Sequence, residues 1–125
     1  MNENRKLPKI ALGAWAWGND NTFGNELNIE DLKPIYDKSI ETGLNLWDTA
    51  YAYGMGTSEK VLGEFLKTTS PDDYIISTKF TPQCANLNED NPVSAMLENS
   101  MNLLNTDYID IFWIDLVYKG VLCWL

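Results

Sequence analysis

The apolar pattern of this chain changes period in a fixed rhythm, and no other feature restricts its folding as strongly. Short apolar runs begin at Ile10, Leu44, Tyr74 and Tyr108, spaced 34, 30 and 34 residues apart. Between them, apolar residues recur at helical spacing. Strand and helix alternating at this pitch imply parallel strands joined by right-handed crossovers. Two architectures share that signature, the open doubly wound sheet and the (β/α)8 barrel. A barrel takes about 250 residues. If the chain is a barrel, its 125 residues would be about half of one, β-α-β-α-β-α-β, incomplete and forming a single domain.

The elements follow from local chemistry. Residues 10–17 (IALGAWAW) read as a strand stopped by Gly18, and the polar segment 19–28 as a rim loop. Asn28 is placed to cap a first helix, with Glu30 and Asp31 in the first turn where the helix dipole favours acids. Its buried stripe is expected at Leu32, Ile35, Tyr36 and Ile40, with Pro34 making the first turn irregular and Gly43 ending the helix. Residues 44–50 are the second strand. The second helix, 58–68, is capped by Thr57 or Ser58 and buries Val61, Leu62, Phe65 and Leu66. A turn at 70–73 leads to the third strand, 74–80. Asn91-Pro92 puts a cap and an N1 proline before a third helix striped by Val93, Met96, Leu97 and Leu104. Residues 108–114 (YIDIFWI) are the fourth strand.

Composition removes whole chemistries. The net charge is −9, so nucleic acid and anionic membranes are disfavoured as partners. No apolar run reaches the roughly 18 residues of a membrane span, and the leader MNENRK opens onto no signal-peptide core. The chain contains no histidine, which excludes His-ligated metals, Ser-His-Asp triads and Cys-His nucleophiles; no metal site is expected. Cys84 and Cys123 form no CxxC pair and have no basic cluster beside them. Two lone thiols fit a reducing, cytoplasmic setting.

In parallel α/β folds, functional groups collect at the carboxyl ends of the strands. Asp48 closes the second strand, Lys79 the third and Asp115 the fourth, and Tyr53 lies just beyond Asp48. In matching register, Asp48 and Lys79 can pair. A phenol keeps its proton until about pH 10 and can give it to a developing alkoxide. A neighbouring ammonium would stabilise the phenolate left behind, and an aspartate would hold that ammonium in place. Tyr53 as acid, Lys79 as tuner and Asp48 as orienter suit the reduction of a carbonyl by an external hydride. On spacing alone, an Asp–Lys pair at strand ends is more often a plain structural ion pair. Gly54-Met55-Gly56 lacks the third glycine of a dinucleotide loop and reads as an ordinary loop before a helix cap.

The block WDTAYAYGMGTSEKVLG (47–63) resembles the signature of the aldo-keto reductase family. The resemblance extends to LGAWAWG (12–18), STKF (77–80) and LLNTDYIDIFWI (103–114). It implies a (β/α)8 barrel that reduces aldehydes and ketones with NADP(H). It also implies that Asp48, Tyr53 and Lys79 match three members of the family's catalytic tetrad, and that Ala14, Trp15 and Asp48 lie at the cofactor. Many members carry Thr in place of Ala14. Trp15 and Trp17 would wall a substrate pocket or join the core.

Asp115 stands where the family has the tetrad's His. The resemblance ends at Ile114, leaving 115–125 as an unmatched tail. Such an abrupt loss leads us to expect a break in the reading of the gene, with a true His-to-acid replacement as the alternative. A truncated, inactive fragment is then expected. Its bare barrel-interior face (Leu44, Leu46, Ile75, Ile111, Trp113), its strand edges and the apolar tail VLCWL would favour self-association. A homodimeric half-barrel acting as a binding module, or a chain without independent function, are the other readings.

Overall fold

The computed structural model describes residues 6–118 and 121–123. The first five residues, 119–120 and 124–125 lie outside them, and so do the expectations resting on the leader and on the extreme tail. Four strands form one sheet in the order β1-β2-β3-β4: Leu12–Gly13, Leu46–Asp48, Ile75–Phe80 and Ile111–Ile114. Every pairing is parallel. Consecutive strands are neighbours throughout, so the strand order never reverses as a doubly wound sheet requires. That order, with every strand parallel, is the one a half-barrel has. The register sets Gly13, Asp48 and Ser77 side by side, and Lys79 beside Trp113.

Helix α1 (Ile29–Glu41) is capped by Asn28, whose side chain accepts the Asp31 N–H. It runs on through Pro34, which removes one interior hydrogen bond without ending the helix. Helix α3 (Pro92–Leu104) starts as its sequence dictates, with the Asn91 side chain accepting the Ser94 N–H. Helix α2 (Thr57–Leu66) departs from expectation at its start, where Gly56, at φ +91°, is the cap residue. Thr57 and Ser58 spend their hydroxyls elsewhere, on the carbonyls of Gly54 and Ala14.

The core lies between the sheet and the helices. Trp17, Trp47, Tyr36 and Phe65 form a ring cluster with centroids 4.7–5.8 Å apart. Leu32, Leu62, Ile76 and Leu104 pack with it. The cluster explains why β1 is only two residues long. To bring Trp17 to Trp47, the chain leaves the sheet after Gly13 and coils into a 3-10 turn over Trp15–Gly18. Tyr36 gives its buried hydroxyl to Thr69, and burial pushes its pKa up to about 12. Helix α2 meets α3 at Gly63, where an added methyl would run into the Leu103 carbonyl.

Several expected burials are corrected. Ile35 is 57% exposed and Val93 41% exposed, while Ser39 and Ser100 are buried in their helices. Ile35 borders an apolar groove with Leu12 and Leu44 on the outer side of β1, the edge of the described sheet. The interior face is not uniformly bare either. Leu46 and Ile75, neighbours in register, are 8% and 2% exposed, whereas Trp113 is 52% exposed. Strands β2 and β3 are flanked on both sides; among the described residues β4 has a neighbour on one side only. Beyond β4, Leu116–Tyr118 (β5) and Val121–Cys123 (β6) pair antiparallel as a separate two-stranded ribbon, where the sequence reading assigned no element.

Candidate active site

Asp48 is the last residue of β2, and Lys79 the fifth of β3. The register sets Asp48 opposite Ser77, and Lys79, two residues further along the same face, reaches back: its Nζ donates to Asp48 Oδ2 at 2.7 Å and to the Thr49 carbonyl at 2.8 Å. The lysine is 1% exposed. A buried ammonium is tolerated only when such partners replace its water. The other Asp48 oxygen accepts the Ser77 hydroxyl at 2.8 Å, and Ser77 in turn accepts the Trp113 indole N–H at 2.9 Å. Both carboxylate oxygens are thus fixed. Ser77 and Trp113 were missed by sequence reasoning as supports, although period-two alternation already placed Ser77 on the face of Lys79.

Tyr53 sits in the loop between β2 and α2 with its ring 4.9 Å, centroid to nitrogen, from the Lys79 ammonium. The ammonium lies over the ring face, and no hydrogen bond joins it to the phenol oxygen among the described residues. The contact is a desolvated cation–π pair, a geometry worth about 2 kcal/mol. Trp15 stacks on Tyr53, 5.1 Å between centroids and 9° from parallel, with Phe23 edge-on at 5.4 Å. The Trp15 indole donates to Asp20. The Thr22 backbone N–H lowers the pKa of the Asp20 carboxyl, burial opposes it, and the Thr22 hydroxyl and this indole add smaller lowerings. The Tyr53 loop is pressed against the loop after β1. A methyl on Gly54, at φ +67°, would collide with the Gly18 carbonyl, so glycine is required there. Asn19 closes the rim loop with both ends of its amide, accepting the Leu27 N–H and donating to the Leu27 carbonyl.

The structure therefore brings together Asp48, Tyr53, Lys79 and Trp15. Ala14 is adjacent but fully buried: its N–H donates to the Asp48 carbonyl, and its own carbonyl accepts the Ser58 hydroxyl at 2.6 Å. Trp17 belongs to the core. Asp115 extends the β4 ladder through its N–H to the Phe80 carbonyl at 2.8 Å and is 9% exposed. Burial, and then the charge of Asp115, raise the thiol of Cys84, which leaves it a poor nucleophile. Among the described residues no group of three or more acidic or Cys side chains could hold a metal, and no helix is long and apolar enough to cross a membrane.

Sequence reasoning missed one further buried acid, Glu59 in the first turn of α2. It is 0% exposed and accepts the Thr78 hydroxyl at 2.7 Å. Its second oxygen has no hydrogen bond, nor has the buried Ser100 hydroxyl nearby. Desolvation raises its pKa, and the Thr78 hydrogen bond offsets part of that. A readable signal existed, because Glu59, Leu62 and Leu66 share one helical stripe.

Comparison with known proteins agrees with this geometry. The profile of the Aldo/keto reductase family matches residues 9–121. A chloroplastic pyridoxal reductase of Arabidopsis thaliana is 35% identical over 81 residues, covering 57% of this chain and 22% of its own. The thermostable aldo-keto reductase Tm1743, crystallised with the inhibitor epalrestat, superposes with a TM-score of 0.73 at 26% identity over 96% of this chain and 42% of that one. An aldo-keto reductase from Klebsiella pneumoniae in complex with NADPH gives a TM-score of 0.69 at 25% identity, over 90% of this chain and 37% of that one. The chain thus spans between a fifth and about two-fifths of the length of these relatives. With a matching half-barrel, a profile covering most of its length and reductases as structural neighbours, the chain belongs to the aldo/keto reductase family.

Proposed function

We propose that the groups at the carboxyl ends of β2 and β3 are the proton-donating half of an NADPH-dependent site that reduces aldehydes and ketones. The observation that carries this reading is the Lys79 ammonium, fixed on Asp48 at 2.7 Å and lying over the Tyr53 ring. Tyr53 gives its phenolic proton to the carbonyl oxygen as that oxygen becomes an alkoxide. Lys79 stabilises the phenolate left behind, and Asp48, held by Ser77, keeps the ammonium from turning away. Trp15, flat against Tyr53, offers an aromatic wall to the substrate and to the reacting ring of the cofactor, with Ala14 behind it.

The residues present fit the nicotinamide end of the cofactor, a flat ring beside a flat ring. They do not provide for its phosphates, since Lys79, the cation at these strand ends, is already neutralised by Asp48. A bound nicotinamide nucleotide would supply the hydride. Our reading of the 125 residues on their own is a weak binder that turns over no carbonyl, in a reducing cytoplasm.

The test is saturation-transfer NMR with NADPH, beside an assay of NADPH consumption with a panel of aldehydes and ketones. Transfer to the nicotinamide protons, absent in Trp15→Ala, is expected, without turnover. No transfer at any NADPH concentration would overturn the cofactor reading. Turnover abolished by Tyr53→Phe would uphold the chemistry and overturn the inactivity of the chain alone.

Self-association is a second reading, favoured by Trp113 and Ile114, 52% and 69% exposed on the edge strand β4. Sedimentation should show a discrete dimer, whereas a monomer or a polydisperse sample would count against it.

A further inference from the structure

A chain of hydrogen bonds crosses three strands at the site. Asp48 closes β2, Ser77 stands directly opposite it on β3, and Trp113 on β4 stands opposite Lys79. Alternation puts Ser77 and Lys79 on one face, so Trp113 is the diagonal neighbour of Ser77. Only a long side chain reaches a diagonal neighbour across strands, and the indole does. The Trp113 indole N–H donates to Ser77 Oγ at 2.9 Å, and the Ser77 hydroxyl donates to Asp48 Oδ1 at 2.8 Å. Asp48 Oδ2 accepts from Lys79 Nζ at 2.7 Å.

The ends of this chain set its direction. An indole N–H can only donate, and an ionised carboxylate can only accept. Ser77 stands between them with one proton on a rotating hydroxyl. The indole N–H turns that proton away from its own side and toward Asp48, and bonds linked head to tail strengthen one another. Orientation matters here because the Asp48 side chain is 27% exposed, while the lysine it serves is buried. A carboxylate turns readily about χ2, between two equivalent settings. Ser77 on Oδ1 opposes that turn and leaves Oδ2 to Lys79. Two tryptophans show the contrast. Trp47 is buried in the ring cluster, and its indole N–H has no hydrogen-bond partner among the described residues. Trp113 is half-exposed, so packing accounts for only part of its placement, and its N–H is the group the structure engages.

We propose that Trp113 is a positioning residue: acting through Ser77, it holds the Asp48 carboxylate in the orientation that anchors the Lys79 ammonium over the Tyr53 ring. The inference rests on the reading of Asp48, Tyr53 and Lys79 given above. It makes the seating of β4 on β3 a condition of the geometry at the end of β2. A merely structural tryptophan would hold β4 to β3 with its ring, and loss of the N–H alone would leave Asp48 and Lys79 unmoved.

The experiment is NMR on the full chain labelled at the Trp indole nitrogens, the Asp carboxyl carbons and the Lys ammonium nitrogens. The Trp113 indole proton should exchange slowly in the wild type and fast in Ser77→Ala. Trp113→Phe keeps a ring and removes the donor. It should shift the Asp48 carboxyl signal and speed exchange of the Lys79 ammonium protons about fivefold. With Ser77→Ala already present, Trp113→Phe should add nothing, because the chain is cut upstream of Asp48. An Asp48 and Lys79 unmoved by Trp113→Phe would overturn the proposal, and so would an equal response in the Ser77→Ala background. Should Trp113→Phe fail to fold, the wild type and Ser77→Ala decide. A fast-exchanging indole proton in the first, or an unchanged Lys79 in the second, then sinks the idea. Fast exchange of the Lys79 ammonium protons in the wild type would instead overturn the underlying site reading, whatever Trp113 does.

Discussion

Two lysine–aspartate pairs in this chain have the same N–O separation, 2.7 Å, in opposite surroundings. Lys33–Asp37 lies on the outer face of α1 with side chains 58% and 53% exposed, whereas in Lys79–Asp48 the corresponding values are 2% and 27%. On α1, water already solvates both ions, and the pair adds little to a helix that its cap and apolar stripe hold. At the sheet end the ammonium has left water, so Asp48 and the Thr49 carbonyl are conditions of its presence. Distance alone is therefore silent about function. Both carboxylate oxygens are engaged in each pair, those of Asp37 by Lys33 itself and those of Asp48 by Lys79 and Ser77; desolvation is what separates the two.

The comparison breaks most visibly if Asp48→Ala is tolerated. That change strands a buried ammonium, and a loss of about 3–5 kcal/mol of unfolding free energy is expected in urea titration. A loss under about 1 kcal/mol would show that water reaches Lys79, and that the two pairs are alike. Next in size is Gly63→Ala. The added methyl meets the Leu103 carbonyl, and chemical denaturation should show a cost of about 1–3 kcal/mol.

The third prediction concerns sign more than size. Because Glu59 has its pKa raised in the fold by desolvation, it takes up protons on folding. It therefore stabilises the fold at pH values below the unfolded pKa, and that stability is lost as pH rises through the folded pKa. Stability measured across that window should fall with rising pH, and Glu59→Gln should flatten the slope. An unchanged slope would place the carboxyl in contact with solvent. Smallest is Lys33→Gln, expected to cost about 0.3–0.5 kcal/mol and to become neutral in high salt. A larger effect would mean that the surface pair is more than a solvated contact.

Much of this was legible before any coordinates. Asn28 and Asn91 cap α1 and α3 because a short side-chain oxygen can reach an orphan N–H two or three residues on. Strand alternation allowed an Asp48–Lys79 contact, which the structure makes with Asp48 opposite Ser77 and Lys79 two residues further along β3. What escaped the sequence depends on neighbours. Ile35 and Val93 sit on correct helical stripes yet stay exposed, since a stripe names a face without saying what covers it. Trp17 and Trp15 belong to one apolar run, but pack on Trp47 and on Tyr53 respectively, so the run had to leave the sheet early. Glu59 was hidden by its charge, because an acid in the first turn of a helix is normally read as a dipole partner in water. Its stripe with Leu62 and Leu66 pointed inward, but what receives the carboxyl is visible only once Thr78 stands opposite.

The Asn19 amide gripping both backbone groups of Leu27, eight residues further on, has a consequence for variation. A loop whose neck is tied is a cassette: its ends stay registered on the frame whatever is carried between them. The residues between the ties can then be exchanged or lengthened without shifting the start of α1, provided that Asp20 and Phe23, which hold Trp15, are kept. Cutting the tie with Asn19→Ala would instead let every change inside the loop reach the aromatic wall beside Tyr53.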